Sequence, residues 1–471
     1  MKTRDTSETI LDVRGHLTPL PRVHYIHHPF YISNYVSKVR LLLSFHKKNL
    51  AQIFLSLHDP QNFRGNRMNP GAKGDICLEL WVSSDDASEG ALPGILPEGE
   101  WQAQIDIERL GEEVDYRLQV IIEREQIAEP FSYTYPEHHV VRPDQGWYKG
   151  ELHSHSTESD GKFLVNEVIE AAQNIGLDFL SLTDHFTTSH WRKMAPLANG
   201  SIALIRGSEI TSHQGHANLH GIQSWVDVYV DRPDWSMRQA AEQVRRQGGL
   251  FCVNHPYSGD LSWRPADFDW ALADLIEIYH NLEGANNDYQ APLWDRLLAD
   301  GYHLVGIAGT DSHDPYKGTH ALGQLVTWVF ADELSEKGIL EGLRRGRVYL
   351  SRGPELRFYA TRENEQTAEM WESLPLGDQP VSFHLDLKLD RPARAFVFKN
   401  GYYFESFVIN PQIEDWQTYQ FQDQPDQDSF YRVELHEIVQ KDQYPGIWWR
   451  DYSTMLAMTN PIFIGQAKDN Q

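Results

Sequence analysis

The chain has 471 residues, of which 41% are hydrophobic, 23% charged and 12% aromatic. That length and composition suit an ordinary water-soluble protein of two to four domains with ample material for large cores. The formal charge of −25 excludes a surface built for nucleic-acid backbones or anionic membranes. A phosphorylated substrate would need local positive charge, which bound metal ions can supply.

Cys77 and Cys252 are far apart in sequence. They read as two free buried thiols rather than a disulfide, which suits a reducing compartment. The opening MKTRDTSETILDVRGH has no apolar core of signal-peptide length, and no run approaches the ~18 apolar residues of a membrane span. A cytoplasmic location is expected.

Residues 1–144 predict a β-sandwich. KVRLLLSF, AQIFLSLHD, DICLELWVS, WQAQIDI and VDYRLQVII are strand-like runs, and PGILPEGEW is a turn signal. RVHYIHHPFY is rich in histidine and aromatics and reads as a packed or half-exposed strand rather than a site. VVRPDQGW reads as a linker.

Over residues 145–355 strands alternate with helices. WYKGELHSH, LDFLSLTD, IALIRGSEI, HANLHGI, LFCVNH, DLIEIYH and YHLVGIAG are the strand candidates. NEVIEAAQNIGL carries Val168, Ile169, Ala172 and Ile175 at helical spacing. SMRQAAEQVRRQGG ends on a glycine pair, APLWDRLLADG has Pro292 near its start, and SEKGILEGLRRG ends at Gly346. Such alternation predicts parallel strands, and active sites of such folds lie at strand C-termini. Residues 356–471 return to strands, with LRFYA, VSFHLDLKL, ARAFVFKN, YRVELHEI and MLAMTNPIFI as runs and Asn400-Gly401 as a hairpin turn. They predict a second small β-sandwich.

Histidines and carboxylates close the apolar runs of the middle region: His153 and His155 in GELHSHSTESDGK, Asp184 and His185 in LDFLSLTDH, Glu209 in IALIRGSEI, His255 in LFCVNHP, and Asp311 and His313 in YHLVGIAGTDSH. His216 follows Glu209 in GHANLHGI. These are ligand types for Zn, Mn and Fe. His153 and His155, two apart on an extended run, point to one face and can share an ion. Taken singly, each is an ordinary surface residue, and Asp160 in ESDGK is an Asp-Gly turn residue; their repetition within about 160 residues carries the argument. His216 and His220 point the same way on an extended run, so direction does not decide between them. Glu277, with His280 and Asn281 near it, closes another strand and reads as pocket-lining. Asp184, His190, His220, Tyr257, Lys317, Arg347 and Arg352 are further candidates for substrate contact, as is Arg192. P-loop, GxSxG, HExxH and CxxC patterns are absent from the sequence.

The order and spelling of these pieces resemble the polymerase and histidinol phosphatase (PHP) superfamily of metal-dependent phosphoesterases, and more specifically its CehA/McbA-type branch. The resemblance covers roughly residues 145–356 and is most specific in WYKGELHSHSTESDGK, GLDFLSLTDH, GTDSHD and GRVYLSRGP. It implies a distorted (β/α)7 barrel, flanked here by the two sandwiches, with two or three divalent ions (Zn, Mn or Fe) at its mouth. It implies His153, His155, Asp160, His185, Glu209, His216, His255, Asp311 and His313 as the metal set, with Glu209 bridging. Glu209, Asp160, His185 and His255 are then the residues closest to catalysis. The GH spelling favours His216 over His220. The activity implied is hydrolysis of a small phosphate ester by a metal-bound hydroxide, the leaving group protonated by Tyr257 or a histidine at the cluster edge.

Two other readings use the same residues. A metal-dependent amide or carbamate ester hydrolase would use the same chemistry on carbonyl carbon. A glycan- or protein-binding protein would hold a structural metal core, with exposed aromatics such as Trp448 and Trp449. Nine candidate ligands argue against the latter, since structural zinc closes at four. The expected partner is a small anionic substrate, with no nucleic-acid polymer and no membrane.

Overall fold

The computed structural model describes residues 7–19, 24–136, 138–212, 214–226, 236–265, 268–281, 286–363, 366–410, 415–438 and 453–465. Trp448 and Trp449 lie outside them. Among the described residues no helix is long and apolar enough to cross a membrane.

The N-terminal region is two four-stranded antiparallel sheets. One orders Ser7–Leu17, Val114–Glu123, Lys38–Lys47 and Gly74–Ser83; the other orders His24–Ile32, Gly99–Leu110, Ala51–His58 and Phe63–Met68. Period-two alternation builds it: Val39, Leu41, Leu43 and Phe45 are buried while the residues between them face outward. Their partners, including Leu55, Leu80, Trp101 and Leu118, close a core lying wholly within residues 17–122. Cys77 corrects the expectation of two buried thiols. It falls on the outward phase of Gly74–Ser83 and is exposed, whereas Cys252 is buried.

In the middle region Gly146–Ser154, Phe179–Leu182, Ala203–Ser212, Gly215–His220, Leu250–Val253, Leu275–His280 and Val305–Gly309 lie side by side in sequence order. Pairing is parallel except at Gly215–His220, which is antiparallel to both neighbours. The two residues between Ser212 and Gly215 cannot hold a crossover, which needs a dozen residues or more, so the chain turns straight back. The two ends of the run meet at one isolated parallel bridge, Ser154 with Ser312. A regular (β/α)7 barrel is therefore not what the ladders show. Helices follow only some strands: Val165–Asn174, the short His190–Met194, Met237–Arg246 and Asn287–Ala299.

Helix ends follow the local chemistry. Ser236 and Ser335 accept from Gln239 N and Gly338 N, opening Met237–Arg246 and Glu336–Arg345, and Gly346 closes the latter at φ 68°. Asn287–Ala299 begins before Pro292, which stands inside it rather than near its start. The Asn287 side chain accepts from His280 N at 2.8 Å, anchoring the helix directly on the preceding strand end.

The C-terminal region has a four-stranded sheet of Thr367–Glu369, Glu355–Thr361, Val381–Lys388 and Gln417–Asp423. Its second layer continues the central sheet: Val348–Ser351 pairs with Met455–Thr459, followed by Ser429–Glu437, Ala393–Lys399 and Tyr402–Ile409. Asn400 and Gly401, at φ 54° and 79°, make the tight hairpin turn. A buried ion pair ties this region to the centre. The Arg432 guanidinium donates at 2.6 Å to each Asp295 oxygen and at 2.6 Å to Glu434, and Asp295 lies on Asn287–Ala299. Removing one partner strands a buried charge. Asp295→Ala should lower unfolding free energy by roughly 3–5 kcal/mol, read from urea melts of the full chain.

Candidate metal centre

The central strands end around one buried carboxylate. Glu209, near the end of Ala203–Ser212, is 1% exposed. Its Oε2 lies 3.3 Å from His153 Nε2, 3.4 Å from His155 Nε2 and 2.9 Å from His185 Nδ1. Its Oε1 lies 3.1 Å from His216 Nδ1 and 3.9 Å from His255 Nε2, and accepts from Asn254 Nδ2 at 3.0 Å. The two oxygens thus face two different histidine sets. Asp311 stands opposite, its Oδ1 2.9 Å from His155 Nε2 and 3.3 Å from His153 Nε2. Asp160 completes the outer side, with Oδ1 3.1 Å from His313 Nε2 and 3.5 Å from His185 Nε2.

These side chains form overlapping groups whose ligand atoms lie within 4.8 Å of one another: His155, Asp160, His185 and His313; His153, His155, Glu209 and Asp311; Glu209, His216 and His255; and His255, His280 and Asp311. Strand-end backbone aims them. His255 and Asp311 hold φ 24° and 53°, and Phe186, beside His185, holds 48°. Non-glycine residues there cost of order 1–3 kcal/mol each and persist only where surroundings fix them. For His255 the fixing bond is its N–H to Glu277 Oε2 at 2.8 Å.

The electrostatics fit cations. Burial alone would raise the Glu209 pKa, but His153 and His185 outweigh it and hold the carboxyl well below its usual range. Burial, then His185 and His313, push His155 down to about 4; burial and His216 push His255 to about 3. Those two rings are held neutral, the form a metal requires, whereas neighbouring carboxylates outweigh burial at His153 and His185, raising both, and push His313 up to about 10, so these imidazoles balance the carboxylate charge. Glu209 Oε2, His153 Nε2, His155 Nδ1 and both His255 nitrogens are buried without a hydrogen-bond partner. Buried polar atoms are normally satisfied, so this orphaned donor set fits divalent ions at the centre.

Several predicted contact residues lie elsewhere. Asp184 is fully buried and accepts from Ser156 N at 2.8 Å, Ser156 Oγ at 2.7 Å and Ser159 Oγ at 2.7 Å. It shapes the loop carrying Asp160 and does not face a cleft. His190, also buried, donates from Nε2 to Gly207 O at 3.0 Å and sits 3.4 Å from Asp184. His220 lies at the far end of its antiparallel strand, against Ser181 Oγ at 3.0 Å, while His216 meets Glu209. Glu277 is fully buried, forms with His153 and His280 a further group of ligand atoms within 4.8 Å of one another, and accepts from His153 Nδ1 at 2.7 Å. This leaves His153 Nε2 to face the centre, the usual way a carboxylate orients a metal-binding imidazole. Arg347 packs over Phe330 and pairs with Glu369 at 3.4 Å, and Arg192 donates to Asp86 and Ala87 O; neither reaches the centre. Arg352 bonds to Asn281 Oδ1, beside His280. Tyr257 and Lys317 are exposed. His280, expected from the sequence only to line the pocket, joins two ligand groups. Its strand-end position after LIEIY was the available signal. Asn254 had no sequence signal.

No family model and no curated protein matches the chain. Among solved structures, similarity is found to a two-domain protein from Bacteroides vulgatus ATCC 8482 containing a predicted PHP-like metal-dependent phosphoesterase. The identity is 21% and the TM-score 0.37, over 64% of this chain and 95% of that one. An amidohydrolase from Chromobacterium violaceum with bound sulfate and no metal aligns at 18% identity and TM-score 0.26, over 36% of this chain and 88% of that one. At such overlaps these likenesses carry no argument, and the chemistry rests on the geometry.

Three substitutions separate the roles. Glu277→Gln should weaken metal affinity ~10–100-fold, as loss of an orienting partner typically does. His216→Ala should lower bound metal per chain, and His220→Ala should retain it; both are read by elemental analysis after dialysis.

Proposed function

We propose that the chain is a metal-dependent phosphoesterase of PHP type, hydrolysing a small phosphate ester at a di- or trinuclear centre. The observation that carries this is Glu209, whose two oxygens address separate histidine sets in a fully buried site. A carboxylate between two imidazole groups is a bridge for two cations, because each oxygen keeps its own lone pairs. In this reading His153, His155, Asp160, His185, Glu209, His216, His255, Asp311 and His313 hold Zn, Mn or Fe. Ions there would lower the pKa of water, orient the scissile group and offset charge in the transition state.

The protein groups supply position. Glu277 holds the His153 tautomer, Asp184 holds the 156–160 loop, and Asn254 fixes one oxygen of Glu209. The anionic end of the substrate enters a chain of formal charge −25, so its attraction must come from the centre itself, with Lys317 and Arg352 as the nearby basic candidates. The catalytic unit in this proposal is residues 145–355, between sandwiches of 1–144 and 356–471.

Elemental analysis of gently purified protein should find two or three Zn, Mn or Fe per chain. Glu209→Gln should retain the fold and lower turnover of p-nitrophenyl phosphate by more than ~100-fold, beyond the loss typical of an orienting partner. Hydrolysis of p-nitrophenyl acetate or a naphthyl carbamate without phosphoester turnover or phosphate inhibition would assign carbonyl chemistry instead.

A further inference from the structure

The N-terminal sandwich reaches the metal centre through the loop that carries Asp160. Arg67, on Phe63–Met68, donates to Thr157 O at 2.8 Å and Ser159 O at 3.3 Å. Glu158, fully buried, accepts from Gly90 N at 2.9 Å and from Ser189 Oγ, and pairs with Lys193. Thr187 Oγ1 donates to Gly90 O at 3.0 Å, and Phe54 meets Phe186, next to His185, edge-on at 5.3 Å. The two regions are thus fitted together beside the ligands, with backbone as well as side chains.

Between them lies an open cleft of about 670 Å³. One side is the 157–161 segment with Asp160; the other is the sandwich, with Arg67, Met68, Gly71, Glu79 and Trp81. Cys77, Glu79 and Trp81 share the outward phase of Gly74–Ser83, so the strand turns a continuous strip toward the cleft. Trp81 is held by Lys38 Nζ at 4.4 Å from the ring centroid. The volume falls within the range of small-molecule sites, which combine apolar and aromatic walls with a few polar groups. It opens directly on Asp160, whose carboxylate lies 3.1 Å from His313.

We propose that this cleft is the leaving-group subsite: the N-terminal sandwich binds the organic part of the substrate, a flat, largely apolar group, against Trp81 and Met68 while the phosphoryl end sits at the metal centre. The inference rests on the phosphoesterase reading and names its substrate class, an aryl-type rather than a short aliphatic phosphoester. A phosphoester longer than the metal pocket has this cleft beside Asp160 to occupy. The sandwich is then part of the active site and not an appended module.

The test is calorimetric and needs no turnover. The Mn-loaded full chain is titrated with 1-naphthylmethylphosphonate, which resists hydrolysis, and with inorganic phosphate. Trp81→Ala should raise the dissociation constant for the phosphonate about tenfold, the scale of an aromatic contact with its buried area. The ratio of the two constants should shift by the same factor. Gly71→Trp approaches from the other direction. Gly71 lines the cleft and a Cβ there meets nothing within 4 Å, so an indole on this wall is accommodated without disturbing packing and should weaken the phosphonate selectively. Thermal melts confirm that both variants fold. A ratio that moves less than twofold in both variants overturns the subsite while leaving the phosphoesterase reading in place. Wild-type protein that binds neither ligand overturns the reading and the subsite together.

Discussion

A buried carboxylate cannot stand alone, and Glu209 sets the terms for the middle of this protein. An ionised carboxyl removed from water is tolerated only when paired. Here five histidine nitrogens from four chain segments come within 2.9–3.9 Å of its two oxygens. That demand fixes where Gly146–Ser154, Phe179–Leu182 and Leu250–Val253 must end and where Gly215–His220 must begin. Imidazoles alone do not complete the arrangement, since Glu209 Oε2 and both His255 nitrogens keep no hydrogen-bond partner. Cations between the rings would resolve both problems at once, and the strained backbone at His255 and Asp311 fits a donor set held ready for them.

Much of this was legible in the sequence because strand ends are written in it. An apolar run that stops on a histidine or acid gives the position of a side chain along the strand, and His153, His155, His185, Glu209, His255, Asp311 and His313 fall in overlapping groups of ligand-type atoms within 4.8 Å of one another. What sequence could not show was direction. Gly215–His220 reads as one more strand in a parallel series, yet the two-residue gap turns it antiparallel, putting His216 at the centre and His220 against Ser181. Nor could it show depth. Asp184 and His190 carry the same chemistry but bond to loop and backbone atoms, because three-dimensional packing and not local pattern decides which side chains join the cluster. The flanking strands followed from alternation, while their fusion with the central sheet through Val348–Ser351 and Met455–Thr459 depends on contacts across about a hundred residues of sequence.

The flanks hold the centre by different means. Arg432 locks the C-terminal layer to Asn287–Ala299 through a buried charge pair, and Asn460 adds bonds to Gly306 and Val348. Such contacts specify one docking geometry, since any other leaves charges and amides unpaired. The N-terminal sandwich instead touches the loop between His155 and Asp160, so its position is felt directly at a ligand. Its outward strip of Cys77, Glu79 and Trp81 lines the cleft that opens beside that loop.

The bridge at Glu209 is the central claim, and anomalous diffraction at the metal edge from crystals of the Mn- or Zn-loaded protein tests it most directly. The account predicts at least two peaks, each about 2.0–2.2 Å from a different oxygen of Glu209, one among His153, His155 and His185 and the other among His216 and His255. A single peak touching one oxygen, or ions that leave Glu209 uncoordinated, would contradict it.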